Sequence, residues 1–292
     1  MIAVLGLIDI YPGFTPSGTS GPQHSVPRND SEIKPLVVTS FYPVYFFVKE
    51  IGGDKVNVIN ITPSGVEPHD YEPTARDLVQ IQKSKLVFIN GGGFESWATK
   101  IAKDGAKVVE LATGLMENND PHVWLSPELA KKEVEMITME LIRMDESNSR
   151  YYLENQTVIL AKLDKLSADF KVGLSQCKEH KVVTSHDAFG YLTREYGLTQ
   201  ISISGISPDE EPSTKQLVEI SNLAKKENLK YIFFEKLVSP KLAQTVAEEI
   251  GAKTLVLDPI EGISDNDAKQ GKNYLTLMEE NLANLKIALE CR

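Results

Sequence analysis

Histidines 69, 122 and 186 and Asp258 are the residues whose types and settings can do chemistry together. Each lies at or just after an apolar, strand-like run. His69 sits in Pro68-His69-Asp70-Tyr71-Glu72-Pro73, behind Val56–Ile61 and the turn Pro63-Ser64-Gly65. His122 sits in Asp120-Pro121-His122-Val123-Trp124, His186 in Thr184-Ser185-His186-Asp187, and Asp258 in Leu257-Asp258-Pro259. Strand-to-helix junctions are where α/β proteins present ligand groups. Three imidazoles and a carboxylate suit a divalent transition metal such as zinc. A helical His-pair motif is absent, so a site would be assembled from distant segments. The alternative is three unconnected histidines, each bonding locally.

The neighbouring acids have two readings. Glu67, Asp70 and Asp187 flank the histidines and can accept a ring N–H bond, or cap the following helix, the reading preferred for Asp187. Glu235 ends a strand and is a candidate for orienting a ligand. Glu261 is close to Asp258, either supporting the site or replacing Asp258 in it. His180, in the charged run Lys178-Glu179-His180-Lys181, and His24, in a Pro-rich stretch, read as solvated. Tyr71 and Trp124 read as cleft wall or core.

The elements that must position these groups alternate. Strands are expected at Leu36–Ser40, Val56–Ile61, Leu86–Asn90 and Lys107–Leu111, with helices at Tyr42–Ile51, Thr74–Lys83 and Trp97–Lys103. An amphipathic helix covers Pro127–Met144. A longer one, about Arg150–Gln176, spans roughly 40 Å, enough to connect two lobes. A second series follows, with strands at Lys181–Thr184, Gln200–Ser204, Tyr231–Phe234 and Thr254–Leu257. Its helices are Ala188–Tyr196, Thr214–Asn228 (capped by Ser213), Pro240–Ile250 and Asn273–Leu289. Strand–helix alternation implies mainly parallel, helix-covered sheets, an α/β fold of two lobes. The expected organisation is 1–34 apolar N-terminus and linker, 35–148 first lobe, 149–178 connecting helix and 179–292 second lobe.

Composition narrows the class. The 292 residues exceed what one core usually fills. A net charge of −10 argues against nucleic acid as a partner. The apolar run at Met1–Ile10 is too short to span a membrane. It resembles the tail of a signal peptide but has no preceding Lys or Arg. Tyr11–Pro35, with five prolines, reads as a linker. The two cysteines, Cys177 and Cys291, leave two readings, buried thiols or a disulfide in an oxidising compartment. Gly91-Gly92-Gly93 lacks phosphate-loop spacing and reads as a close backbone turn.

The motifs also carry a likeness. Thr39-Ser40-Phe41-Tyr42-Pro43, Glu67–Pro73, Asp120–Leu125, Ser185–Tyr191 and Phe234-Glu235 before the Asp258 loop resemble the zinc/manganese-type (ZnuA/TroA-like) substrate-binding proteins of ABC importers, over about Pro35–Leu289. The resemblance implies two α/β lobes joined by a long rigid helix, with one metal ion in the cleft held by His69, His122, His186 and Asp258. It implies a monomer outside the cytoplasm, periplasmic or on the outer face of the membrane, peripheral to it, that delivers metal to an ABC permease with its ATPase. Manganese-type members carry a glutamate at the third position, where this chain has His186. Nitrogen-rich ligation favours Zn²⁺ over Mn²⁺ or Fe²⁺. Many zinc members have a His-rich loop before the second histidine, but Leu115–Asn119 contains no histidine. The alternatives are a Mn²⁺ or Fe²⁺ carrier, a metal-dependent surface adhesin, and a zinc hydrolase or lyase. A coordinating fourth side chain disfavours the last of these.

Overall fold

A computed structural model describes residues 34–98 and 106–292. The N-terminal apolar run, the linker with His24, and most of the helix expected at Trp97–Lys103 lie outside the described residues.

The first lobe is built on a parallel sheet ordered β2-β1-β3-β4, with β1 at Leu36–Thr39, β2 at Asn57–Asn60, β3 at Leu86–Ile89 and β4 at Lys107–Glu110. Val38 pairs in register with Ile59 on one side and Val87 on the other. The two central strands are apolar on both faces, as a helix-covered parallel sheet requires. Alternation then divides the core in two: Val38, Val87 and Ile89 pack with Ile61, Ile81 and Trp97, while Val37, Leu86 and Phe88 turn to the larger cluster. Helix α1 (Tyr42–Gly52) carries Pro43 in its first turn. Helix α2 (Ala75–Lys83) starts with a Thr74–Asp77 capping box.

Helix α3 (Pro127–Met144) starts at the Ser126 cap, and α4 (Ser149–Gly173) is the long helix expected from the sequence. It packs against α1 and α3 at one side and against the closing helix at the other. The second lobe contains β5 (Lys181–Thr184) paired in parallel with β6 (Thr199–Ser202), and β7 (Tyr231–Phe234) paired in parallel with β8 (Lys253–Val256). β5 lies beside β7, and Ser185 Oγ donates to the Phe233 carbonyl at 3.3 Å. The helices are α5 (Gly190–Glu195), α6 (Thr214–Lys226), α7 (Lys241–Ile250), α8 (Asp265–Lys269) and α9 (Tyr274–Ala288). Ser213 caps α6 in a box with Gln216, and Gly251, in the left-handed region, ends α7.

The main apolar cluster does not stop at the lobe boundary. It joins Phe41, Phe47 and Trp124 to Phe170 of α4, Phe189, Phe233 and Tyr274. A smaller cluster of Val183, Ile203, Ile232 and Val246 lies within the second lobe. A disulfide between Cys177 and Cys291 ties the segment after α4 to the chain end, which decides between the two readings of the cysteines. The glycine run has positive φ at Gly91, Gly92 and Gly93. The Asn90 and Gly91 amides of that turn donate to the Glu95 carboxylate at 2.7 and 2.9 Å. Among the described residues, no helix is long and apolar enough to cross a membrane.

Three short elements were not legible: the 3-10 turns at Val123–Leu125 and Glu146–Asn148, and α8. Each spans five residues or fewer, below the length at which helical periodicity can show.

Candidate metal centre

The loops that follow the strands supply the histidines. His69 lies in the loop between β2 and α2, where the Tyr71 amide donates to the Pro68 carbonyl at 3.2 Å and folds the chain back. His122 immediately precedes the Val123–Leu125 turn, and His186 follows β5. These three side chains converge with Glu261, from the loop after β8. One ligand atom from each of the four lies within 4.8 Å of all the others.

The distances have a simple meaning. Glu261 Oε1 is 3.3 Å from Nε2 of His69, of His122 and of His186. Nε2 of His122 and Nε2 of His186 are 3.4 Å apart. A tetrahedron with arms of about 2.0–2.1 Å has edges of about 3.3–3.4 Å, and those arms are zinc–nitrogen bond lengths. His122, His186 and Glu261 are buried and His69 nearly so.

Two ring nitrogens are fixed from behind. His122 Nδ1 is 2.7 Å from Asp120 Oδ1, and His186 Nδ1 is 2.8 Å from Glu235 Oε1. A carboxylate there holds the proton on Nδ1 and leaves the Nε2 lone pair facing the cluster. The same two carboxylate oxygens accept the backbone N–H of His122 and of His186, at 3.0 and 3.2 Å. His69 is held differently. Its amide donates to Glu67 Oε1 at 3.2 Å, and its ring meets Phe94 edge-on with centroids 4.5 Å apart.

Without metal, this is a charged knot. Burial opposes charge on His122, but Asp120 and Glu261 outweigh it and push the imidazole up. Burial likewise opposes charge on His186, and Glu235 and Glu261 drive it well above the usual histidine range. Glu261 is buried too, yet the histidines hold it well below the usual carboxylate range. Burial, and then the charge of Glu261, raise the Glu67 carboxyl.

Several expectations need correction. Asp258, expected as the fourth ligand, is not in the cluster. Its Oδ2 is 3.3 Å from Lys236 Nζ and its Oδ1 accepts the Ile260 amide at 2.8 Å. Glu261, one turn of loop further on, takes the place facing the histidines. Ile260 between them has φ of 57°, in the left-handed region. Asp187 caps no helix, because α5 starts after Phe189 with no side-chain cap. Asp70 is exposed, and Thr74 caps the helix behind it. Glu235 orients a histidine ring, as the sequence allowed, whereas Glu67 meets the His69 backbone. Asp120 was missed as an orienting carboxylate. The signal was present, since Asp120 stands two residues before its histidine as Glu67 does before His69. His180 is exposed, Trp124 is buried, and Tyr71 donates to Asp77 at 2.6 Å.

Residues 37–288 match the ZnuA family, described as zinc-uptake complex component A, periplasmic. The chain belongs to this family. ZnuA-type proteins are components of metal uptake rather than enzymes. The high-affinity zinc uptake system protein ZnuA of Bacillus subtilis is 40% identical over 277 residues, covering 87% of each chain. The zinc-binding lipoprotein AdcA of Streptococcus pneumoniae is 39% identical over 86% of this chain, which spans 55% of that longer protein. The crystal structure of the Zn(II)-bound ZnuA-like domain of the same AdcA superposes with a TM-score of 0.79 at 39% identity, over 88% of this chain and 99% of that domain.

Proposed function

We propose that this chain captures one Zn²⁺ outside the cytoplasm, between its two lobes, and delivers it to an ABC permease with its ATPase. His69, His122, His186 and Glu261 are the ligands. One observation carries the reading: a buried carboxylate oxygen stands 3.3 Å from three imidazole nitrogens, at the edge length of a tetrahedral zinc site. Three nitrogens favour zinc over manganese, which prefers oxygen. The fourth corner is filled by a side chain, so no corner remains for an activated water, and the site holds cargo rather than performing hydrolysis. The disulfide fits an oxidising compartment. Family membership supports the permease and ATPase as partners, and the chain acts as a monomer peripheral to the membrane.

The test is metal content and competition on protein stripped by chelation and reloaded. The expected result is one tightly held zinc per chain that excess Mn²⁺ does not displace, and a relative shift towards Mn²⁺ in His186→Glu. Manganese displacing zinc from the wild type contradicts the zinc assignment, and no stoichiometric metal contradicts the carrier reading itself.

A further inference from the structure

Asp258 carries a ligand's chemistry but spends it on its own loop. It is 5% exposed and bracketed on every side. Asn281 of α9 grips its backbone from both directions, with the Asp258 amide donating to Asn281 Oδ1 at 2.8 Å and Asn281 Nδ2 donating to the Asp258 carbonyl at 2.7 Å. Lys236, 3.3 Å from Oδ2, also reaches Asp267 at 3.0 Å. That leaves Oδ1 to accept the Ile260 amide at 2.8 Å. Between them, the Pro259 carbonyl accepts the indole N–H of Trp124 at 2.8 Å, reaching into the segment that carries His122.

These anchors hold a backbone that the sequence does not favour. Ile260 is fully buried and β-branched, yet has φ of 57°. A branched residue in the left-handed region is strained and persists only where its surroundings impose it. The residue it precedes is Glu261, the carboxylate of the metal cluster.

We propose that Asp258 is a positioning residue for Glu261: its carboxylate fixes the Pro259–Ile260 peptide plane, and the chain leaving that plane through the left-handed Ile260 aims Glu261 at the three histidines. This rests on the zinc-carrier reading above. Asp258 acts through the backbone and does not touch the metal. Losing its Oδ1 frees the Pro259–Ile260 peptide plane to turn, which carries Glu261 out of the cluster.

Zinc affinity and zinc dissociation into excess chelator test this in the full chain, with metal-free melting to verify that each variant folds. Asp258→Ala is expected to weaken zinc retention about ten- to a hundredfold, the usual effect of removing a group that orients a metal ligand. Asp258→Asn keeps an acceptor oxygen for the Ile260 amide and stays close to wild type. Asp258→Leu, which also lacks an acceptor, serves if the alanine variant does not fold. Equal losses in Asp258→Ala and Asp258→Asn overturn the proposal, since Asp258 then acts by charge or as a ligand. Unchanged retention in Asp258→Ala overturns it as well. Failure of the carrier reading shows separately, as a wild type that retains no zinc.

Discussion

Glu133 shows what an unpaired polar group does when the fold has no use for its charge. It is 1% exposed on α3, and neither carboxylate oxygen has a hydrogen-bond partner among the described residues. Burial pushes its carboxyl up to about 8. The unfolded chain ionises this group near 4.5, while the folded chain keeps it neutral to about 8. Stability is therefore lost as pH rises between those values, and the loss is complete above about 8. Glu133→Met removes the penalty. At pH 8 it should raise unfolding free energy by about 2 kcal/mol or more and flatten the dependence of Tm on pH. A variant less stable than wild type at pH 8 contradicts this account. The metal ligands differ in facing partners of opposite charge: Glu261 Oε1 is 3.3 Å from Nε2 of each histidine. The histidines were legible because each follows or adjoins an apolar run and stands beside a proline, aspartate or serine. The fourth ligand was not legible. Asp258 and Glu261 are both acidic, both buried and three positions apart, and the choice between them rests on one backbone angle at Ile260. Composition and periodicity carry no information about that angle.

At the scale of elements, strands were readable because the buried ones are short continuous apolar runs: Leu86–Ile89 lies wholly inside, and so do three of the four residues of Lys181–Thr184. Helix starts were readable where Thr74, Ser213 and Asn273 form capping boxes. The pairing of the cysteines was not, since it depends on how α4 and the chain end meet in space. The disulfide closes a loop of 114 residues, and restricting the unfolded chain over such a length contributes about 2–4 kcal/mol. Reduction, or the paired change Cys177→Ser with Cys291→Ser, should lower the melting temperature of metal-free protein. Zinc stoichiometry should not change, because neither sulfur belongs to the metal cluster. A reduced protein that melts like the oxidised one would show that the bond adds nothing the packing does not already supply.

For the whole molecule, zinc binding, proton release and stability are one equilibrium. In the metal-free state His122 and His186 hold protons more tightly than an ordinary imidazole, because the carboxylates beside them favour the charge. Zinc needs those nitrogens neutral, so binding releases protons. A raised histidine is protonated over a wider pH range, and competition with zinc therefore begins above the ordinary value of about 6.5. Affinity should fall on acidification from neutral pH, with up to two protons taken up per zinc lost, measured by titration in buffers of different ionisation heat. An affinity that does not change between pH 7.5 and 5.5 contradicts a histidine site. Near neutral pH, zinc at about 1,000 times its Kd adds roughly 4 kcal/mol to stability, read as a rise in Tm over the stripped protein. The two lobes share the large apolar cluster through α4.

The measurement that tests the central claim most directly is a crystal structure of the zinc-loaded protein with anomalous scattering at the zinc edge. The account predicts one peak at about 2.0–2.1 Å from Nε2 of His69, His122 and His186 and at about 2.0–2.2 Å from a Glu261 oxygen, with Asp258 still bonded to the Ile260 amide. A peak elsewhere, or a zinc coordinated by Asp258 with Glu261 turned away, would contradict it.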